Sequence, residues 1–184
     1  MANLKRYVVG PDEEGRSAVL ESEPTNIQSQ EGFFWRATLW GTKETPADNS
    51  IEGDRSVDMM AREPFPNGML CRAVEIPPDP TDPTDPEEHR RVIGQLHKAV
   101  DQKISPTQQD LQRHPSMHRT DTLDCLTCVK GEVYLVTDVE EVLMTPGDTV
   151  IIRGTNHAWK NLSNAPCLLI RSMIDATPKA AASS

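Results

Sequence analysis

From His114 to Ala176 apolar residues come in short runs of strand length. The runs are separated by turn residues at Lys130-Gly131, Thr137-Asp138 and Pro146-Gly147-Asp148. This spacing predicts a meander of antiparallel strands. Toward the N-terminus, Arg6–Val9 and Ala18–Glu21 read as short strands around the turn Pro11-Asp12-Glu13-Glu14-Gly15. Phe33–Trp40 is an aromatic-rich strand. Strict alternation places Phe34, Arg36, Thr38 and Trp40 on one face and Phe33, Trp35, Ala37 and Leu39 on the other. Both faces carry apolar bulk, so the strand is expected to be covered on both sides. Residues 43–68 read as loop, and Leu70–Ile76 as a strand closed by Pro77-Pro78.

The stretch Pro77–Pro86 is rich in Pro and Asp and predicts an extended linker. A helix is expected over Glu87–Lys103, where Val92, Leu96 and Val100 repeat at every fourth position beside Ile93 and Ala99. Pro86 and the acidic pair Glu87-Glu88 suit its start, and Ser105-Pro106 ends it. The helix interrupts a run of strands, so it is an insertion. It serves either as a lid on the barrel mouth or as packing on the outer wall.

Composition narrows the picture. The chain of 184 residues suits one domain with a sizeable core. Its 28 acidic against 19 basic residues give a net charge of −9, which argues against a nucleic-acid partner or an anionic membrane. No apolar run is long enough to span a bilayer, and Met1–Arg6 leads into no signal-peptide core, so the expectation is a cytoplasmic protein. Cysteines stand at 71, 125, 128 and 167. Cys125 and Cys128 are three apart on an expected strand and so point to opposite faces; they read as small strand side chains, not as a zinc pair.

The candidate chemistry lies at three strand starts, His118, Asp124 and His157. A barrel gathers such strand starts into one mouth. His118 and Asp124, with Gly131 after them, and then Gly154, His157 and Asn161 resemble the two motifs of the cupin superfamily. The first motif runs G-x5-H-x-H-x(3-4)-E-x6-G; the second runs G-x5-P-x-G-x2-H-x3-N. The likeness covers roughly residues 68–175. It implies an all-β fold, a cupin double-stranded β-helix of the jelly-roll type with one short helical insertion. The chain is expected to divide into N-terminal strands over 1–67 that pack on the barrel and form a dimer arm, the barrel over 68–176, and, from its small polar composition, a disordered tail over 177–184.

The departures from the motifs bear on function. Ser116 occupies the place of the first His, the acid is Asp, and five residues separate His118 from Asp124. Ile152 or Arg153 replaces the second motif's Pro, and Gly147 lies one residue too close to His157. A full cupin set of three His and one Glu holds a metal. The three groups kept here are expected to work as acid and base without a cofactor, one His removing a proton, Asp124 orienting it, and the other His donating. A divalent ion (Fe, Mn, Ni or Zn) on His118, Asp124 and His157 is the alternative, and it would suit a dioxygenase. His114 is a candidate substitute ligand or a solvated loop residue.

Arg119 and Arg153 flank the motifs and are candidate grips for substrate carboxylate or enolate. Trp159 shares a face with His157 by alternation. An inward Trp159, Trp40 and Phe34 would line an aromatic cavity for an apolar or polyketide-like substrate. Arg36, Arg72 and Arg171 lie within strands, and any that point inward would bind an anionic ligand. The reading that follows is a small-molecule lyase or isomerase of secondary metabolism, acting by decarboxylation, dehydration or cyclisation. A non-catalytic binding barrel is the rival from another class. Homodimerisation is expected, as the resemblance implies and as the doubly apolar strand at 33–40 suggests.

Overall fold

Side chains on successive strand residues point to opposite sides, so a strand lying over a core buries every second residue. The sequence Thr122–Lys130 does this: Thr122, Asp124, Leu126 and Cys128 are buried while Leu123, Cys125 and Val129 are exposed. A computed structural model describes residues 4–21, 23–24, 26–30, 34–79 and 103–178. Its elements in chain order are β1 (Val8–Pro11), β2 (Ser17–Glu21), β3 (Asn26–Gln30), β4 (Phe34–Thr42), β5 (Met69–Ile76), α1 (Gln108–Arg113), β6 (Thr122–Lys130), β7 (Val133–Val136), β8 (Glu141–Met144), β9 (Thr149–Arg153), β10 (Ala158–Lys160) and β11 (Cys167–Asp175). The helix expected over 87–103 falls, except for Lys103, outside the described residues, as does the tail from 179 onward.

Six strands form one antiparallel sheet in the order β3-β4-β5-β11-β6-β9, and three form a second in the order β10-β7-β8. β1 and β2 make a separate hairpin. The two larger sheets meet over an apolar core. Leu126, Cys128, Ile152, Cys167 and Leu169 of the larger sheet pack with Val133, Leu135 and Met144 of the smaller one, all under about 9% exposed. The architecture is the expected all-β cupin barrel. β4 pairs with β5 across residue 67, so the N-terminal strands β3 and β4 are members of the barrel sheet itself.

Register places the interior row by row. Leu70, Met173, Asp124 and Ile152 stand side by side across β5, β11, β6 and β9; the next row runs Thr38, Arg72, Arg171, Leu126 and Val150 from β4. Charged side chains thus stand among apolar ones on the inner face, Asp124 in the first row and Arg72 and Arg171 in the second. On the outer face Trp35, Ala37, Ala73 and Leu168 are buried against Leu4, Leu39 and Ile170, so the chain itself covers this side of β4.

Alternation fails within β4. The register slips between Thr38 and Trp40, so that Trp40 stands opposite Cys71 and Gly41 opposite Leu70. This bulge turns Trp40 to the outer face, with Trp35 and Ala37, and puts Gly41 on the inner one. A Cβ at Gly41 would lie 2.9 Å from the Met59 side chain. Trp40 thus does not line the interior. Phe34 pairs with Gln30 through its backbone, and its side chain is outside the described set.

Residues 43–68, expected as loop, fold inward. Met59 packs on Leu70 and Met173, and Ser56, Glu63 and Pro64 are buried. The inner arginines hold this wedge. Arg36 Nη2 donates to the Met60 carbonyl at 2.8 Å, and Arg72 donates to the carbonyls of Met59 and Arg62. Asn26 Nδ2 reaches the Ser56 carbonyl at 2.7 Å. Arg6 ties the N-terminal segment to the same loop through Asp54 at 2.9 Å and to β2 through Glu21 at 2.7 Å. α1 was not foreseen, yet Thr107 and Asp110 form a reciprocal capping box at its start.

Arg6 is buried, and its removal takes away the cation 2.9 Å from the Asp54 carboxylate, itself only 12% exposed. Arg6→Met is expected to cost about 2–4 kcal/mol in urea denaturation, the range for breaking a largely buried charged contact. Arg16→Ala, at a pair that is open to solvent, should leave the curve nearly unchanged.

Candidate active site

Two of the three sequence-predicted residues meet directly. His118 and His157 form an isolated antiparallel bridge, with backbone N–H to carbonyl distances of 3.0 and 2.9 Å in the two directions. Their rings lie 4.3 Å apart between centroids at 57°. Both residues are buried, at 5% and 4% exposure. His118 Nδ1 is 2.8 Å from the Ser116 carbonyl and His157 Nδ1 is 2.9 Å from the Thr155 carbonyl. A carbonyl only accepts, so each Nδ1 carries the proton and, in the neutral ring, each Nε2 carries the lone pair. Ser116, standing where the motif has its first His, thus positions His118 through its backbone. Its hydroxyl lies 2.9 Å from His114 Nδ1.

Asp124 is buried on the inner face of β6 and accepts from Thr122 Oγ1 at 2.5 Å; Thr122 is in turn 2.7 Å from Thr120 Oγ1. It orients neither imidazole through the hydrogen bonds seen here; that role belongs to the carbonyls of Ser116 and Thr155. Burial pushes the Asp124 carboxyl above its usual range, against the pull of Thr122, Arg171 and Arg62. His157 goes the other way. Burial pulls its imidazole down to about 4, and the cations Arg62 and Arg171 add to the shift. Asp124 and His157 therefore share the same two arginine neighbours and lie in one charged interior.

That interior holds four guanidinium groups, from Arg36, Arg62, Arg72 and Arg171, with the carboxyl groups of Asp124 and Glu63. Burial and mutual repulsion pull Arg36 to about 10, Arg62 to about 9 and Arg72 to about 8, so all remain cations at neutral pH. Arg62 and Glu63 come from the inward loop and were not singled out in sequence. The signal available was the pair of Met residues beside them, Met59 and Met60, which is unusual for a solvated loop.

The remaining candidates divide. Trp159 stands beside His157, ring centroids 6.0 Å apart in an edge-on arrangement, and packs on the apolar core. Asn161 is a structural residue: its amide donates to the carbonyls of Ile76 and Ala165, both at 2.9 Å. Arg119 and Arg153 do not reach the interior. On β9 Ile152 points in, so its neighbour Arg153 points out beside Leu123. Arg119 follows the inward His118 and is likewise exposed, near Pro106 and Asn156. Cys125 is exposed and Cys128 buried, as alternation requires; Cys128 Sγ instead lies 3.7 Å from Cys167 Sγ, both as free thiols.

A metal was the alternative to unaided acid–base chemistry. Among the described residues no three of His, Cys, Asp and Glu are grouped so as to hold an ion. Within that set Asp124 accepts a hydrogen bond from Thr122.

Residues 102–173 match the family model for the cupin domain. The chain carries a cupin domain. The curated relatives align over a short stretch. Phomopsin biosynthesis cluster protein C' of Diaporthe leptostromiformis is 43% identical over 49 residues, 26% of this chain and 26% of that protein. Oryzines biosynthesis cluster protein J of Aspergillus oryzae is 46% identical over 50 residues, 27% of this chain and 28% of that one. The match thus spans about a quarter of each relative. Among solved structures, the cupin domain of Cnp3 from Schizosaccharomyces pombe is 12% identical with a TM-score of 0.47, over 93% of this chain and 87% of that one. KdgF from Halomonas sp. is 10% identical with a TM-score of 0.43, over 81% and 86%. No helix among the described residues is long and apolar enough to cross a membrane.

The buried imidazole of His157 makes the cupin domain acid-sensitive. In the unfolded chain the ring takes up its proton near the ordinary 6.5, in the fold only near 4. Between these values protonation favours the unfolded chain, so stability falls as pH drops from about 6.5 to about 4, by up to about 3 kcal/mol. Asp124 acts in the opposite sense: its raised value gives stability at low pH that is lost as pH rises through it. Denaturation midpoints of the wild type and His157→Gln across this window separate the two. The variant's stability should fall less steeply below pH 6.5.

Proposed function

We propose that this cupin domain is a small-molecule lyase or isomerase of a secondary-metabolite pathway, working by proton transfer. The observation that carries the reading is the His118–His157 pair. Two buried imidazoles lie ring to ring, each with Nδ1 held by a backbone carbonyl and Nε2 left as the basic nitrogen. A pair so held can take a proton from one carbon or oxygen of a substrate and return one to a neighbouring atom, the requirement of dehydration, cyclisation and double-bond migration. His157, neutral at physiological pH, is suited to remove the proton. Asp124, whose carboxyl holds its proton more tightly than usual, is suited to donate within the same interior. Trp159 offers an apolar edge beside His157 for the unreactive part of the substrate. The two relatives from biosynthetic clusters support the setting.

The assay screens small-molecule substrates for turnover by the wild type and its variants. His118→Ala and His157→Ala should each lower turnover by about 10²–10⁴-fold, the range for loss of a positioned acid or base. Activity should persist in EDTA, and elemental analysis should find less than one metal per chain. Stoichiometric iron, with activity lost in EDTA and restored by Fe(II), would move the reading to the dioxygenase.

We also propose a homodimer. Leu123, Ile151 and Ile174 lie on the outer face of the larger sheet and are 40%, 55% and 45% exposed, an apolar surface that a second copy could cover. Sedimentation showing only monomer at micromolar concentration would rule it out.

A further inference from the structure

Two thiols of the apolar core touch. Cys128 on β6 and Cys167 at the start of β11 are 1% and 0% exposed, and their Sγ atoms lie 3.7 Å apart as free thiols. The sulfurs are in contact but unbonded; a disulfide of about 2.05 Å needs them to close by roughly 1.7 Å. Their meeting has two local causes. The first is a slip in the β6–β11 register. Leu168 stands opposite Lys130 and Leu169 opposite Cys128, so two residues of β6 span one of β11 and Val129 is left over. This bulge brings Cys128 nearer to the level of Cys167. The second is Gly131, in the turn that follows β6. A Cβ there would lie 3.1 Å from Cys167 Cα and 2.9 Å from the Pro166 carbonyl oxygen, and the residue has a φ of +79°. A residue without a side chain lets the two backbones approach this closely. Cys128 Sγ also lies 3.6 Å from the Gly131 carbonyl, so both sulfurs gather at this turn.

We infer that Cys128 and Cys167 are a redox pair whose state is set as the chain folds: a disulfide under oxidising conditions, two thiols under reducing ones. This is independent of the proposed function, which uses neither sulfur. The contact supplies the proximity. Burial supplies the timing. A thiol reacts as its thiolate, and burial pushes the Cys167 thiol up, with Cys128 beside it adding to the shift. In the closed fold the pair is therefore slow to react and shielded from bulky oxidants, whereas in the folding chain it is open. The oxidant is a small disulfide such as oxidised glutathione. One protein thiolate attacks a sulfur of the oxidant, and one small thiol leaves. The second protein thiolate attacks the resulting mixed disulfide, and the other small thiol leaves. Two protein thiols and one small disulfide thus give one protein disulfide and two small thiols, with two electrons passing from the protein. The bond closes a loop that contains β7, β8, β9 and β10, and with them His157. Such a loop limits the freedom of the unfolded chain and so stabilises the fold.

The test is refolding of the full chain from urea, once with dithiothreitol and once with a mixture of reduced and oxidised glutathione, followed by peptide mapping without reduction. The oxidised sample should yield the Cys128–Cys167 peptide pair. Its unfolding constant should be about 30–1000-fold below that of the reduced sample, the range for one disulfide. Dithiothreitol added in urea should abolish the difference. Folded, reduced protein placed in the same glutathione mixture should be modified first at Cys125, which is exposed, and should form the buried bond more slowly than the refolding chain does. Cys128→Ala should lose the bond and the added stability together. The double variant Cys71→Ser, Cys125→Ser keeps the buried pair alone and should form the same bond within one chain, which covers the case of an alanine variant that does not fold.

A chain that refolds in oxidised glutathione with Cys128 and Cys167 both free overturns the inference, as does a bond that joins Cys71 or Cys125 instead. An oxidised chain less stable than the reduced one also overturns it, since the bond would then fit only a distorted fold. Bond formation as fast in the folded protein as in the refolding chain overturns the claim that folding sets the state of the pair.

Discussion

Charge taken out of water is the constraint that the interior of this barrel answers. Half of the inner face obeys the usual rule: Leu126, Cys128, Leu169 and their partners on the smaller sheet form a dry core. The other half breaks it with the buried Arg36, Arg72 and Asp124 and the half-buried Arg171. Each unpaired ion there would cost several kcal/mol. The loop at residues 43–68 supplies most of the answer, bringing backbone carbonyls to Arg36 and Arg72 and the side chains of Arg62 and Glu63 into the same space. The wedge and the buried strand arginines therefore require each other. Arg6 fastens the wedge from outside, through Asp54.

Much of this was legible in the chain and some was not, for physical reasons that differ. The barrel meander was legible because turn residues and alternating burial both depend on near neighbours. Gly131 and Gly147 take positive φ at 79° and 100° in the turns where they were expected. The histidine pair was legible because the motifs fix two positions whose strands meet. The face of Trp40 was not legible. One bulge residue in β4 inverts everything beyond it, and nothing in the local composition marks the slip. The inward loop was hidden because its acidic, Pro- and Gly-containing composition is that of a solvated segment. What draws it in is distant: the guanidinium groups on β4 and β5. Arg119 was misplaced because it adjoins the inward His118, and Arg153 because it adjoins the inward Ile152; the neighbour of an inward strand residue faces away.

The site makes sense as a consequence of the same charge balance. His157 is kept neutral by burial and by Arg62 and Arg171, which disfavour an imidazolium beside them. The ring is therefore unprotonated across the physiological range, and burial holds the Asp124 proton more tightly than usual. Loss of water thus acts on both groups alike by favouring the neutral form of each, which leaves one as a proton acceptor and makes the other a better proton holder within one interior. The carbonyls of Ser116 and Thr155 fix which nitrogen of each imidazole bears the lone pair.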